Sequence, residues 1–487
     1  MKSDGSIFSG LNVVIRWVQS LNSSIVNSQS SILRQSSILK LAVIAVILLL
    51  GCGQVWAIEA KREVRPDGLV LLHAEKNNLP IVKVTLLIKA SPSDEPPEKA
   101  GLANLVAELL PEGTKTRTSE QISEQIEFIG GELGASVDRD YTTITLSVLK
   151  KDIDKGFNLL SDILLNPVFP ENEIRRKKDL IKGSLKQSEE DPEFVAQREF
   201  RKTVYGPHPY GRLIEGSPDT IDAISREDLL RFYHTYYRPN NAILSVVGDI
   251  SYDEVVSLLQ RYLSGWQAGD IPRMDLPPIP ELKEKIVVTV DRSITQANIL
   301  LGHLGIKRAN PDYYAVSVMN YILGGGGFAA RLMTRIRDDM GLAYDVYSTF
   351  DTDMDRGVFE VGVQTKNKSA KTVIDVIIEE IERIRKEPVS DGELRDAKAY
   401  LTGSFPRRLD TMGKIANFLT LTEFYQLGID YDKLYPGYIN SVTKEDVRRV
   451  AVKYLDPEKY VLVVVADLKK AGFQQAGKKK TPDGVFK

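Results

Sequence analysis

Cysteine is almost missing from this sequence: of 487 residues one is cysteine, Cys52, so no disulfide can form within the chain. Histidine is nearly as scarce. His73, His208, His234 and His303 are the only four, and no two stand three or four positions apart, so no helix face offers two imidazoles to one metal ion. A basic excess is missing too: 64 Lys and Arg stand against 66 Asp and Glu, which argues against nucleic acid as a partner. There is no G-x-S-x-G elbow for a serine hydrolase. Nor is there a G-x-x-x-x-G-K-[ST] loop, so the run Gly324–Gly327 lacks the lysine of a phosphate cradle. On spacing alone those four glycines read as a flexible break between helices.

The N-terminus is a different kind of sequence from the rest. Residues 1–40 are rich in Ser, Asn and Gln, carry Lys2, Arg16, Arg34 and Lys40, and have no acid after Asp4. Leu41–Leu50 (LAVIAVILLL) follows, then GCGQVWA. This apolar run is shorter than the roughly 20 residues of a membrane span. A basic region, an apolar core and a small-residue exit make an export leader over 1–57. Three readings stay open. Val55-Trp56-Ala57 suits cleavage before Ile58, Leu49-Leu50-Gly51-Cys52 resembles a bacterial lipobox that would lipidate Cys52, and an uncleaved anchor is the third. Each places the rest of the chain in the periplasm, or on a membrane facing it.

The remainder contains one pattern twice. Ser225-Arg226-Glu227-Asp228 … Tyr236 … Pro239 … Ile243–Asp249 matches Thr443-Lys444-Glu445-Asp446 … Tyr454 … Pro457 … Val461–Asp467 without a gap, at an offset of 218 residues. Each copy reads as a capped helix, a proline turn and a strand. Ser225 and Thr443 are N-caps followed by acids that suit the helix dipole. The runs ILSVV and VLVVV suit strands covered on both faces. Each half opens on two candidate strands, Gly68–Glu75 with Val82–Ala90 and Ile286–Val290 with Asn298–Gly305. Each also holds a hairpin, Glu132–Val137 with Tyr141–Val148 and Ala343–Phe350 with Gly357–Val363.

Strands and helices come in blocks, which predicts an α+β fold of two homologous domains in tandem, each a mostly antiparallel sheet with helices on one face. The boundaries are 58–270 and 284–468, with a Pro-rich linker over 271–283 and a basic, disordered tail over 469–487. His73 and His303 fall in strands as structural residues, His208 in a turn and His234 in a helix.

Three segments resemble the pitrilysin/insulinase-like peptidases, above all the subunits related to mitochondrial processing peptidase and bacterial two-subunit zinc proteases. They are Leu323–Ser348 (LGGGGFAARLMTRIRDDMGLAYDVYS), Tyr205–Ile250 and Lys99–Thr114 (KAGLANLVAELLPEGT). Catalytic members carry H-x-x-E-H, in which positions i and i+4 bring two imidazoles to one Zn²⁺ while the glutamate polarises water. Here that window holds Asn104, Ala107 and Glu108, and the distal ligand position falls on Gly183 or Ser184. The resemblance therefore implies a chain with no cofactor of its own.

The segment that faces substrate in the family is kept. The resemblance implies substrate contacts at Arg331 and Tyr344, and close approach of a peptide backbone at Gly324, Gly325, Gly326 and Gly327. A guanidinium can hold peptide carbonyls, and a phenol can donate to a tetrahedral oxyanion. Read as residues alone, Arg331 is a surface helix arginine in a salt bridge and Tyr344 half-buried strand filler. The expected role is a non-catalytic subunit that serves peptide substrates beside an H-x-x-E-H-bearing sibling holding the zinc. The alternative is a peptide-binding or scaffold protein without proteolytic activity.

Overall fold

The computed structural model describes residues 58–474. The expected leader, Cys52 with it, and tail residues 475–487 lie outside the described residues. Strands β1 (Lys61–Val64), β2 (Val70–Glu75), β3 (Ile81–Ile88), β4 (Glu132–Val137), β5 (Thr142–Leu149) and β6 (Ala242–Gly248) form one sheet in the order β1-β2-β6-β3-β5-β4. Strands β7 (Ile286–Asp291), β8 (Gln296–Leu304), β9 (Ala343–Phe350), β10 (Val358–Lys366) and β11 (Val461–Ala466) form the other, in the order β7-β11-β8-β10-β9. Without β1 the two orders are the same. Each contains one parallel pair, β2 with β6 and β7 with β11. The duplication read from one 25-residue stretch therefore extends to the whole topology, and the fold is α+β.

Helices of eight residues or more are numbered in chain order. The first half has α1 (Leu102–Leu109), α2 (Ser119–Phe128), α3 (Ile153–Leu165), α4 (Glu171–Ser188), α5 (Pro192–Tyr205), α6 (Arg226–Tyr236) and α7 (Tyr252–Tyr262). The second has α8 (Tyr313–Asn320), α9 (Ala370–Lys386), α10 (Asp391–Ser404), α11 (Met412–Phe424), α12 (Tyr431–Ser441) and α13 (Lys444–Tyr454). Their starts follow local chemistry. Ser225 and Thr443 accept from the N–H groups of Asp228 and Asp446, whose carboxylates bond back to the cap backbone, a capping box in both copies.

The two halves exchange cover. Each sheet carries its own helices on one face, as expected, but the second face is closed by a helix from the other half. Helix α11 of the second half packs its Met412, Ile415, Ala416 and Leu419 on Leu72, Ala74, Leu87, Ile243 and Val247 of the first sheet. Helix α5 of the first half packs Val195, Ala196, Phe200 and Val204 on Leu300, Val461, Val463 and Val465 of the second. This is why β6 and β11 are buried along their whole length. Neither half can leave the other without exposing a face of its sheet. At the start of the expected tail, Leu468–Ala471 forms a short helix capped by Asp467.

The tip of the β9–β10 hairpin, 351–357, plugs into the first half. Tyr205 Oη donates to the Arg356 carbonyl at 2.9 Å, and Met354 N donates to Asp140 Oδ2 at 2.9 Å. Arg201 pairs with Asp351. Asp353 sits among these groups with a shielded Oδ2 that has no partner. Burial, reinforced by Asp140 and Asp351 against Arg139 and Arg201, pushes its carboxyl up to about 7 from 3.8. Between those values the folded chain holds a proton that the unfolded chain releases, so its contribution to stability is fullest below about pH 4 and is lost as pH rises to about 7. Asp353→Asn is expected to flatten part of that decline, read from urea midpoints between about pH 5 and about pH 8.

Candidate functional site

Helix α1 begins where the chain can begin one. Gly101 has φ +99°, and a Cβ there would lie 2.5 Å from the Glu215 carbonyl oxygen. The buried Glu95 then caps the helix, accepting from Gly101 N at 3.0 Å and Ala103 N at 2.9 Å. Burial pushes the Glu95 carboxyl up to about 8, the N–H donors and Arg212 opposing it. Leu102, Leu105, Val106 and Leu109 hold the helix in the core. It lies against α4, α6 and the edge strand β4.

On the face that would carry a metal, Asn104 Nδ2 donates to Glu108 Oε1 at 3.1 Å, and Ala107 is fully buried between them. Lys177, on α4, brings its ammonium within 3.5 Å of Glu108 and 3.1 Å of Glu112. Zinc takes imidazole, thiolate or carboxylate donors converging on one point. Here an amide donates to the one carboxylate, and a lysine neutralises it. The residues do not fit zinc. Among the described residues no three His, Cys, Asp or Glu side chains group as a metal site.

Gly183 and Ser184 are exposed on α4. Lys177 was not legible as part of the site. The signal available is its position seven residues before Ser184, which puts both on about the same helix face. Three of the four histidines are internal fittings, and His234 is exposed on α6. His73 Nε2 meets Ile250 O at 2.8 Å, His303 Nδ1 meets Leu304 O at 2.9 Å, and His208 Nδ1 accepts from Tyr210 N at 3.3 Å within a turn.

The second half presents the segment between α8 and β9. Two π-wound turns, Tyr321–Gly325 and Thr334–Asp339, flank the glycine run and a single helical turn at Arg331–Met333. A π turn accommodates an extra residue and re-aims the side chains that follow. A Cβ on Gly324 would fall 2.5 Å from Ser348 Oγ and 2.6 Å from Ser348 N. On Gly325 it would meet the Asn320 amide, and on Gly326 the Tyr321 carbonyl. Three of the four glycines are thus required by the chain's own packing against α8 and β9, which corrects the reading of the run as a plain flexible break. Only Gly327, with φ +57°, faces open space. Gly324→Ala is expected to cost about 1–3 kcal/mol by overpacking, measured as a lowered denaturation midpoint.

Arg331 has a buried side chain and Tyr344 an exposed one. The Arg331 side chain is 8% exposed and forms a two-pronged ion pair with Glu393 of α10, Nε to Oε1 at 2.6 Å and Nη2 to Oε2 at 3.1 Å. Its Nη1 is buried without a partner. In this structure the guanidinium ties the glycine-rich segment to α10, the salt bridge that the residues alone suggest.

Tyr344 is 86% exposed, the opposite of strand filler. The guanidinium beside it is that of Arg337, 5.6 Å from the Tyr344 ring and 4.6 Å from the ring of exposed Phe328. Left-handed Gly341, φ +62°, ends the π turn and delivers the chain into β9, the free edge of the sheet. Exposed Phe328, Met340 and Tyr344, with the half-buried Arg337 among them, form a partly aromatic platform next to that edge.

Comparison with known proteins matches both halves of the chain to one family. Residues 70–217 match the insulinase family, peptidase family M16, and residues 223–401 match the peptidase M16 inactive domain. The chain belongs to the M16 peptidase family. An M16 relative in Bacillus subtilis, an uncharacterized zinc protease (YmxG), is 24% identical over 409 residues, 83% of this chain and 98% of that protein. An uncharacterized zinc protease of Rickettsia felis is 29% identical over 335 residues, 69% of this chain and 80% of the relative. A solved peptidase M16 inactive domain from Pseudomonas fluorescens superposes with TM-score 0.79 at 26% identity, covering 84% of this chain and 98% of that one. A protease structure from Helicobacter pylori shares the fold, with TM-score 0.78 at 20% identity over 84% of this chain and 99% of its own.

Proposed function

We propose that this M16 chain is the metal-free subunit of an exported, two-chain zinc peptidase. It lends Tyr344 and Arg337 to the zinc site of a homologous H-x-x-E-H-bearing sibling, and the pair hydrolyses peptides enclosed between the two chains. The observation that carries the reading is the contrast between two faces of one molecule. Helix α1 has an amide, a methyl and a lysine-neutralised carboxylate where metal chemistry would sit. The platform at Tyr344 keeps a solvent-facing phenol, and beside it the half-buried Arg337 guanidinium lies over two exposed rings and pairs with Asp338 at 3.5 Å.

The geometry divides the labour. The Tyr344 hydroxyl is free to donate to the oxyanion that forms when water adds to a peptide carbonyl in the facing chain. Arg337 offers several N–H donors to carbonyls on either side of the scissile bond. An extended peptide is expected to join a free sheet edge, β9 here or β4 in the first half, so that backbone hydrogen bonds supply affinity with little sequence preference. The leader over 1–57 supports export, with attachment to a membrane through Cys52 as one of its forms.

The experiment is to purify this chain and an H-x-x-E-H sibling separately and assay each alone and mixed on unfolded peptides. Hydrolysis by the mixture well above either chain alone supports the reading. A mixture no better than the sibling alone returns the chain to the role of a peptide-binding scaffold.

A further inference from the structure

The duplicated halves share a groove but fill it differently. In each half it lies between the loop that leaves β3 or β8 and the turn that leads from α6 or α13 into the last strand. In the first half the interdomain linker occupies it. Asn240 brackets Gly269, its Nδ2 donating to the Gly269 carbonyl at 2.8 Å and its Oδ1 accepting the Gly269 N–H at 3.2 Å. Arg273 donates to the Lys89 carbonyl at 2.8 Å and to Asn241 Oδ1 at 2.9 Å, and pairs with Asp94 at 3.1 Å. The groove thus holds an extended segment by its backbone and by one charged side chain.

In the second half the same place is an open cavity of about 640 Å³. Lys307, Arg356, Lys453 and Lys459 line it with positive charge, against Glu281 and Asp456. Burial lowers the pKa of His303, which adds no charge at neutral pH. Lys307 pairs with Asp355 at 3.1 Å, Arg356 with Glu281 at 2.7 Å and Lys453 with Asp312 at 2.9 Å. The first two are solvent-accessible pairs that exchange partners at little cost, whereas Lys453 is tied to the buried Asp312.

The turn Tyr236–Asn241 corresponds to Tyr454–Lys459 at the 218-residue offset, so the amide that receives Arg273 in the first half becomes Lys459 in the second. The charge preference is inverted. The linker already places one carboxylate here, that of Glu281 on Arg356. The chain's own terminal segment, with Lys478, Lys479 and Lys480, carries the wrong sign.

We propose that this second groove docks an extended, acidic segment of another polypeptide, in the manner in which the first groove holds the linker. Carboxylates of the segment bridge Lys307 and Lys459, and its backbone follows the turn before β11. The proposal is independent of peptide hydrolysis and of the platform at Tyr344.

The test uses the whole exported chain and a fluorescent ten-residue peptide alternating Glu and Ala, followed by anisotropy at low salt, with a Lys-for-Glu peptide as control. The expected result is saturable binding of the acidic peptide alone, weakened about tenfold or more by Lys307→Glu with Lys459→Glu. The same change at exposed Lys151 should leave it as it was, as should the thermal melting of all variants. Equal binding by the charge-reversed groove overturns the proposal. So does displacement of the peptide by an equal concentration of sulfate, which would mark a site for simple anions. Cross-linking of the groove to the chain's own residues 475–487 would also overturn it. Should the double variant fold poorly, protection of Lys307 and Lys459 from acylation by the acidic peptide on the wild-type chain decides the same question.

Discussion

Tyr344→Phe is expected to lower peptide hydrolysis by the mixed pair about 100-fold or more, chiefly in kcat, while the stability of the chain itself stays unchanged. Removing one donor to a developing oxyanion costs roughly 100- to 1000-fold in rate. Deleting one hydroxyl from a side chain that is 86% exposed changes folding free energy by less than about 0.5 kcal/mol. Among the described residues none bonds to that hydroxyl, so a loss of activity without a loss of stability isolates its action on substrate. Arg337→Ala should follow the same pattern with a smaller loss, about 10- to 100-fold, as expected for one charge-assisted hydrogen bond. Its contribution should appear in KM as well as kcat, because peptide carbonyls are present before and during the reaction.

Arg331→Ala is expected to do the reverse, destabilising the fold by about 2–4 kcal/mol while leaving the hydrolysis by correctly folded protein intact. The substitution leaves the Glu393 carboxylate with only the Ser390 cap for company, and empties a buried site behind the glycine run. The pH dependence supplies a second signature. Burial opposes ionisation of Glu393, yet the hydrogen bonds from Arg331 and Ser390 outweigh it and hold the carboxyl at about 2, against 4.5 in an unperturbed glutamate. Between those values the unfolded chain binds the extra proton. The pair therefore stabilises the fold above about pH 4.5, and that contribution is lost as pH falls through about 2. Acid denaturation of Arg331→Ala should lack most of that component. Lysine at this position should restore little, since it cannot reproduce the two-pronged contact.

These opposite expectations for two arginines six residues apart show where sequence and structure part company. The capped helices after Ser225 and Thr443, the buried runs at β6 and β11 and the hairpins at β4–β5 and β9–β10 are legible because local periodicity and cap chemistry decide them. The substitutions at Asn104, Ala107 and Glu108 are legible because a helix fixes what i and i+4 share. The face of Arg331 is not, because π-wound turns on either side of it break the 3.6-residue rule that assigns faces. Lys177 is hidden for a different reason: its partners on α1 are about 70 residues away, and nothing local marks the encounter. The exchange of α5 and α11 between halves is likewise a property of tertiary packing, although the continuous apolar runs ILSVV and VLVVV already require cover on both faces. Strand β1 (Lys61–Val64) is short, charged and mostly exposed, and its pairing with β2 carries no hydrophobic pattern to announce it.

The exchange of helices also bears on where motion can occur. Because α11 closes the first sheet and α5 closes the second, the two halves of this chain behave as one body. If the proposed sibling pairs with this chain, opening and closing around a peptide is expected between the two chains rather than within this one. That arrangement suits a subunit whose Tyr344 platform is meant to meet another molecule.

The most direct measurement determines zinc content and peptide hydrolysis on three samples: this chain, an H-x-x-E-H sibling, and their mixture, with the mixture repeated using Tyr344→Phe. The account predicts no stoichiometric zinc in this chain, zinc in the sibling, strong hydrolysis only in the mixture, and its loss with the Tyr344 variant. Stoichiometric zinc and hydrolysis in this chain alone, or a mixture indifferent to Tyr344, would contradict it.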